Sequence, residues 1–491
     1  MSFLGLDLGT SGLKVLLTDD EGEVIGQANH AYPVSHPHDG WSEQDPADWV
    51  AALQNAVAAL RAVHPEFDDL RGIGVSGQMH GATLLDKGGA VLRPCILWND
   101  TRSHAQAATL DADPTFRRIS GNIVFPGFTA PKLLWLRDHE PGVFARIAKV
   151  LLPAAFLNHY LTGDPVGDMS DASGTSWLDV QSRCWSDDLL ARSGMAVAQM
   201  PRLVEGSVPA GQLRTELARD WGLRHTVTVA GGAGDNAATA CGLGLLDEGA
   251  GAVSLGSSGV VMVARGACTP APQTAVHTFC HALPGRWYQM GVMLAAADNL
   301  NWLAKLVSMP PQALIAELGD VLRPPGPVRY LPYLAGERTP HNNPHLRAGF
   351  AGIGARSSRC DMTRAVLEGV CFGLRENLEA LRATGAAPKR LHAVGGGARS
   401  PYWVKLLATV LGLPIDVSAA QAGHGAALGA ARLARLAATR ATVADVIVQP
   451  HDTYEVLPAA EHVAVFEEAF TGFQNAARAA GDSAASLLPS D

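Results

Sequence analysis

One five-residue pattern, Leu-Gly-(Thr or Ser)-Ser-Gly, occurs twice in this 491-residue chain, and it does most to limit the fold. Leu8-Gly9-Thr10-Ser11-Gly12 lies between the apolar runs Phe3–Asp7 and Leu13–Thr18. Leu255-Gly256-Ser257-Ser258-Gly259 lies between Gly251–Ser254 and Val260–Met262. Each copy reads as strand, tight turn, strand. Such a repeat predicts a duplicated domain start. A chain of this length also exceeds what one hydrophobic core supports. Two domains are therefore expected, 1–246 and 247–491, with the boundary near Leu246-Asp247.

The rest of the pattern alternates strands with amphipathic helices, which indicates an α/β fold. A turn at Asp19–Gly22 leads to a third strand from Val24 to Ala28. Helical periodicity covers Pro46–Val63, with Asp45 as its cap and Pro46 in the first turn. An apolar strand, Gly72–Ser76, follows. Glu461–Ala480 predicts a last helix, and the residues beyond it a frayed tail.

The net charge of −9 argues against a non-specific nucleic-acid binder. It permits a phosphorylated ligand, because loops and a metal can handle the phosphates. The seven cysteines include no CxxC pair, so reduced, packed thiols are expected rather than zinc or disulfides. The start lacks a signal-peptide pattern, and no apolar stretch is long enough for a bilayer. A cytoplasmic location with no membrane partner is the expectation.

The glycine turns carry the chemistry. Phosphate oxygens need closely approaching backbone N–H groups, and only small residues leave that room. Gly9, Thr10 and Ser11 in the first turn and Gly256, Ser257 and Ser258 in the second can hold phosphates between them. Asp7 precedes the first turn and Lys14 follows it, and a carboxylate there can hold Mg²⁺ through water. Either turn alone is more often a plain hairpin; the duplication together with Asp7 favours function. A third cluster, Gly395-Gly396-Gly397-Ala398, follows a strand at Arg390–Val394 and precedes a helix near Ser400-Pro401. It offers bare backbone to a nucleotide base or ribose. It is neither a Walker A loop nor GxGxxG, which disfavours a dinucleotide-binding oxidoreductase.

Thr226–Gly234 reads as a buried strand running into glycines, with a small-residue helix, Ala237–Leu245, after it. Asp235 then stands at the helix N-terminus, where an Asp is most often a cap. The same place keeps a carboxylate ionised, and an ionised carboxylate can take the proton of a sugar hydroxyl attacking a γ-phosphate.

Taken together, these motifs resemble the FGGY carbohydrate kinases over nearly the whole chain. Asp7–Gly12 resembles the family's first phosphate hairpin. Lys132-Leu133-Leu134-Trp135-Leu136 is similar to its first signature, and Ala348–Glu368 to its second. The resemblance implies two actin-like, ribonuclease H-like domains around an interdomain catalytic cleft. The sugar is expected mainly on the first domain and ATP mainly on the second, with Mg²⁺ as the metal cofactor. It implies Asp235 as the base and Asp7 as a metal or phosphate organiser, with both near the metal. It assigns Gly256, Ser257 and Ser258 to phosphates and Gly396, Gly397 and Ala398 to adenosine, with Asn301 a further candidate. The oligomeric state stays open, with a homodimer as one candidate.

Gln78-Met79-His80-Gly81 resembles the substrate loop of family members that phosphorylate D-xylulose in pentose use. Glycerol kinases carry Arg and Glu where this chain has Met79 and His80. Trp98–Arg102, Trp41–Pro46 and Gly336-Glu337-Arg338-Thr339-Pro340-His341-Asn342 resemble the same members. Gln78, Met79, His80, Trp98, Asp235 and Asn236 are the sugar-site candidates. Two departures stand out: Ser257 where the family usually has Thr, and Ala233 in place of a usual Gly. The alternatives are an FGGY kinase acting on ribulose, gluconate, fuculose or glycerol, and an actin-like ATP-binding protein without sugar chemistry.

Overall fold

The computed structural model describes residues 1–418 and 424–486. Its frame is two seven-stranded mixed sheets. In the first, the edge strand Pro209–Gln212 is followed by Thr228–Ala230, Leu70–Gly77, Ser2–Leu8, Gly12–Thr18 and Val24–Ala31, and the seventh, Ala233–Gly234, pairs with Leu70–Gly77 off this path. In the second, the order is His277–Cys280, Trp287–Met293, Gly259–Arg265, Gly251–Leu255, Leu391–Val394, Ile415–Ser418 and Thr453–Val456. Both repeated phrases form antiparallel hairpins, Leu8 opposite Leu13 and Leu255 opposite Gly259. In each sheet the hairpin's first strand pairs in parallel with a strand that leads to one of the loops singled out in the sequence, Leu70–Gly77 to Gln78–Gly81 or Leu391–Val394 to Gly395–Ala398.

Local sequence explains the first helix. Asp45 accepts a hydrogen bond from the Ala47 N–H at 2.9 Å, and Pro46 occupies the first turn. Such a cap contributes about 1 kcal/mol. Trp49, Ala52, Leu53, Ala56, Val57 and Leu60 form its buried stripe.

The helix Gly425–Ala438 belongs late in the chain but lies on the first sheet. A Cβ at Gly5 would sit 1.9 Å from the Ala427 carbonyl oxygen, and one at Gly74 2.0 Å from that of Ala430. Only glycine strands admit a helix backbone this closely. The same helix packs on Asp235–Leu243, which therefore links the two halves.

Three expectations need adjustment. The strand expected over Thr226–Gly234 is two pieces, Thr228–Ala230 and Ala233–Gly234. Gly231 and Gly232 leave the ladder between them and donate to the carbonyls of Val208 and Gly206, with Gly232 at φ 85°. The following helix runs Asp235–Leu243 and is closed by left-handed Gly244, rather than spanning Ala237–Leu245. The last helix runs Ala460–Ser486, longer than expected; the tail expectation falls partly on 487–491, outside the described residues. Among the described residues, no helix is long and apolar enough to cross a membrane.

Candidate active site

The central strand Leu70–Gly77 organises the acidic residues. Asp7 pairs with Ser76 on one side, and Ala233 pairs with Ser76 on the other. Asp7 and the residues leading to Asp235 thus flank one strand, two strand spacings or about 10 Å apart. Burial and then the Asp235 charge push the Asp7 carboxyl up to about 7, against the opposing effect of Lys14 across the hairpin. Burial pushes Asp235 up to about 6, held down in part by hydrogen bonds from Asn236.

Asp235 does not cap its helix. Gly234 is the cap residue, and the Asp235 carboxylate accepts from the Asn236 N–H at 2.7 Å and its side-chain amide at 2.9 Å. The capping role expected from sequence is therefore wrong. The Asp begins the first helical turn instead, and the turn's geometry turns its carboxylate back onto Asn236.

The loop Gln78–Gly81 leaves the central strand next to Asp235. Met79 packs so closely on Gly234 that a Cβ there would lie 2.9 Å from the Met79 Cγ. His80 adopts a left-handed φ of 71°, a conformation that costs a non-glycine residue energy. Its carbonyl is clamped by the Lys132 ammonium at 2.8 Å and the Thr129 hydroxyl at 3.1 Å. Lys132 is fully buried, also donates to the Gly127 carbonyl at 2.8 Å, and is pulled down to about 7 by burial. The His80 Nδ1 donates to the Gly174 carbonyl at 2.7 Å, and its ring stacks on Phe128 with centroids 4.5 Å apart. Burial holds the imidazole at about 3, so it is neutral. With Nδ1 protonated, Nε2 is an acceptor.

Gln78 and Trp98 have a different place from the one expected. The Gln78 amide donates to Gln44 at 2.9 Å, and its carbonyl oxygen accepts from Thr10 at 3.1 Å. Trp98 donates to the same Thr10 hydroxyl at 3.0 Å. Both side chains brace the first glycine hairpin, and the amide of Gln78 is already spent on Gln44.

On the other side, Gly256, Ser257, Asn301, Gly396 and Gly397 line one cavity of about 810 Å³. Leu300, Pro311, Gln312, Ile315, Arg399 and Trp403 are among its other lining residues and were missed from sequence. Ser258 and Ala398 are not in its lining; Ala398 is buried beneath it. Gly395 has a φ of 90°, and a Cβ there would strike the Gly256 nitrogen at 2.8 Å, so the glycine loop docks on the second glycine hairpin. Among the described residues, no group of three or more His, Cys, Asp or Glu side chains could hold a metal alone. Two neighbouring carboxylates, Asp7 and Asp235, suit a Mg²⁺ ion that keeps waters and binds substrate phosphates.

Residues 2–242 match the N-terminal domain of the FGGY family of carbohydrate kinases, and residues 251–438 match its C-terminal domain. The chain belongs to the FGGY family of carbohydrate kinases. It is 47% identical over 438 residues to the xylulose kinase of Escherichia coli K12, covering 89% of this chain and 90% of that one. It is 35% identical to the xylulose kinase of Bacillus subtilis, covering 88% and 87%. A solved xyloylose kinase from Brucella ovis superposes with a TM-score of 0.95 at 54% identity, covering 98% of this chain and 99% of that one. This family places the two sheets and their hairpins in a two-domain sugar-kinase fold with structural relatives along nearly the whole chain.

Proposed function

We propose that this FGGY kinase is a xylulokinase, transferring the γ-phosphoryl group of ATP to the 5-hydroxyl of D-xylulose. The observation that carries the reading is the Met79–His80 loop packed directly against Gly234, the residue before Asp235. It presents a thioether wall and a neutral imidazole acceptor beside a carboxylate, which suits an uncharged polyhydroxy substrate. The xylulose kinases at 47% and 35% identity over most of the chain support the choice of sugar.

In the reaction, the Asp235 carboxylate takes the proton of the 5-hydroxyl as that oxygen bonds to the γ-phosphorus. The bond from that phosphorus to the bridging oxygen of ADP breaks, and ADP keeps the electron pair. Asn236 orients Asp235 through its two hydrogen bonds. The turns of the Gly9–Ser11 and Gly256–Ser258 hairpins, with Lys14, would hold the phosphates, while Gln78 and Trp98 keep the Thr10 hydroxyl in place. Asp7 and Asp235 would hold Mg²⁺, mainly through water, and bound metal supplies charge neutralisation on the phosphates. Adenosine takes the cavity lined by Asn301, Gly396 and Gly397. The halves divide near 246/247, with sugar groups mainly before that point and nucleotide groups mainly after it. The seven unpaired cysteines fit work in the reducing cytoplasm.

The test is ATP turnover with D-xylulose against ribulose, gluconate, fuculose and glycerol under one condition. D-Xylulose should give the highest kcat/KM. A higher value for another sugar would overturn the substrate, and sugar-independent ATP use would overturn the kinase reading.

A further inference from the structure

The segment Gly336–Asn342 is noticed in the sequence but has no part in the mechanism above. Its centre is Arg338. The backbone on either side of that residue is tied down. The Glu337 carboxylate accepts from the N–H of Leu294 at 3.0 Å and of Arg338 itself at 2.7 Å. Thr339 donates through its N–H to the Val292 carbonyl at 3.0 Å, and its hydroxyl donates to the Ala275 carbonyl at 2.8 Å. The Val292 N–H returns a bond to that hydroxyl at 3.1 Å. Arg338 is therefore aimed by its frame rather than left to choose among rotamers.

It is aimed across the halves of the molecule. The guanidinium carbon stands 4.6 Å above the ring of Phe125, a residue of the first half. Phe125 packs edge-on against Phe128 at 5.5 Å, and Phe128 stacks on His80 at 4.5 Å. A file of groups thus leads from Asp235 past Met79 and His80 to Arg338. Among the described residues, the guanidinium makes no hydrogen bond and no carboxylate lies within ion-pair distance of it. It is only partly exposed. Stacking on Phe125 occupies its face and leaves its in-plane N–H groups without protein acceptors.

We infer that Arg338 is a specificity residue of the sugar site, whose N–H groups donate to the keto oxygen of the open-chain ketose. This rests on the xylulokinase reading. A sugar whose 5-hydroxyl meets Asp235 runs its keto end away from that residue, along the file toward Arg338. A guanidinium only donates, and a carbonyl oxygen only accepts, in the plane of its own double bond. A polyol replaces that oxygen with a hydroxyl that leaves the plane and brings a hydrogen needing its own acceptor. Sites built to bond one polar group discriminate strongly against analogues that change it. Arg338 thereby favours a 2-ketose over the alcohol made by reducing it, and it closes the second half onto the sugar.

The experiment compares D-xylulose with xylitol and D-arabinitol, its two reduction products at C2. Binding is measured by calorimetry and turnover by ADP release, for the wild type, Arg338→Met and Arg338→Lys. Removing a charge-assisted donor is expected to weaken D-xylulose roughly 10–100-fold, while the polyols change less than about threefold, so that the preference collapses. Arg338→Lys keeps charge but loses the planar fork, and should fall between. If Arg338→Met does not fold, the lysine variant alone decides. An unchanged ketose-to-polyol ratio in a folded variant overturns the inference, as does an equal loss on both classes or a change confined to the KM for ATP. Wild-type enzyme with no turnover of D-xylulose sinks the functional reading instead, which keeps the two failures apart.

Discussion

The two halves use the same local topology for opposite chemistry. In each, a glycine hairpin lies beside a parallel strand, and that strand runs into a loop proposed to meet a ligand. In the first half the loop is Gln78-Met79-His80-Gly81, filled with side chains and held in a strained shape by Lys132 and Thr129. In the second it is Gly395-Gly396-Gly397-Ala398, which is nearly bare. On the proposed reading, a sugar of a few carbons needs directional partners, which a thioether and an imidazole supply. A nucleotide brings its own large surface and charges, so the loop proposed for it need only leave room. The scaffold sets where ligands sit, and the loop side chains decide which ligand sits there.

The largest expected effect tests where the two halves meet. Asp235→Asn should lower kcat by roughly 10²–10⁴-fold, the usual cost of losing a general base. Sugar affinity by calorimetry should stay within a few-fold. Near-normal turnover would remove Asp235 from the chemistry.

Crossed variants of the two loops come next. Nothing lies within 4 Å of where a Cβ at Gly396 would go, yet Gly396 lines the cavity proposed for adenosine. Gly396→Val should fold normally and raise the KM for ATP about tenfold, as overpacking of a site does. His80→Ala should raise the KM for D-xylulose by a similar factor. Each should leave the other substrate's KM within about twofold. If either variant disturbs both substrates alike, the division of labour between the loops is wrong.

Lys132→Met sharpens the contrast. It removes one donor from the strained His80 carbonyl and should raise the KM for D-xylulose about tenfold, with little change for ATP. A KM that does not move would make the clamp structural only.

The acid side of the pH profile follows from the same carboxylates. Asp235 at about 6 and Asp7 at about 7 must ionise, so log kcat/KM should fall as pH drops below that range. A flat profile from pH 5 to 8 would contradict both values.

The smallest effect is on stability. Asp171 is buried, neither of its carboxylate oxygens has a hydrogen-bond partner, and burial with the Asp168 and Asp235 charges holds its value well above the ordinary one. A group raised in this way stabilises the fold below its unfolded pKa, and that contribution is lost as pH rises through its folded value. Asp171→Asn should therefore raise Tm about 2–4 °C at pH 8, with the gain shrinking toward pH 5. A lowered Tm at pH 8 would show that the carboxylate is stabilising.

Much of this was legible in sequence where the cause is local. The hairpins follow from Leu-Gly-Thr-Ser-Gly and Leu-Gly-Ser-Ser-Gly, because small residues set the turn within a few positions. The helix at Pro46–Val63 follows from Asp45, Pro46 and its apolar stripe. Asp235 was visible as a candidate, but its turn back onto Asn236 depends on where the helix begins, which a glycine-rich approach leaves undetermined. Long-range pairings were not legible. Gln78 looks like a sugar ligand in the linear pattern, and only the fold brings Thr10 and Gln44 to spend its amide. Lys132 stood out as part of a signature, yet the carbonyl it clamps is 52 positions away. Arg338 meets Phe125 only after two sheets have folded and docked.

The most direct test of the central claim is a crystal structure with D-xylulose and a non-hydrolysable ATP analogue bound together. The account predicts the 5-hydroxyl within hydrogen-bond distance of the Asp235 carboxylate, the carbon chain against Met79 and His80, and adenine beside Gly396 and Gln312. A sugar seated away from the Met79–His80 loop, or adenine outside the Gly396 cavity, would contradict it.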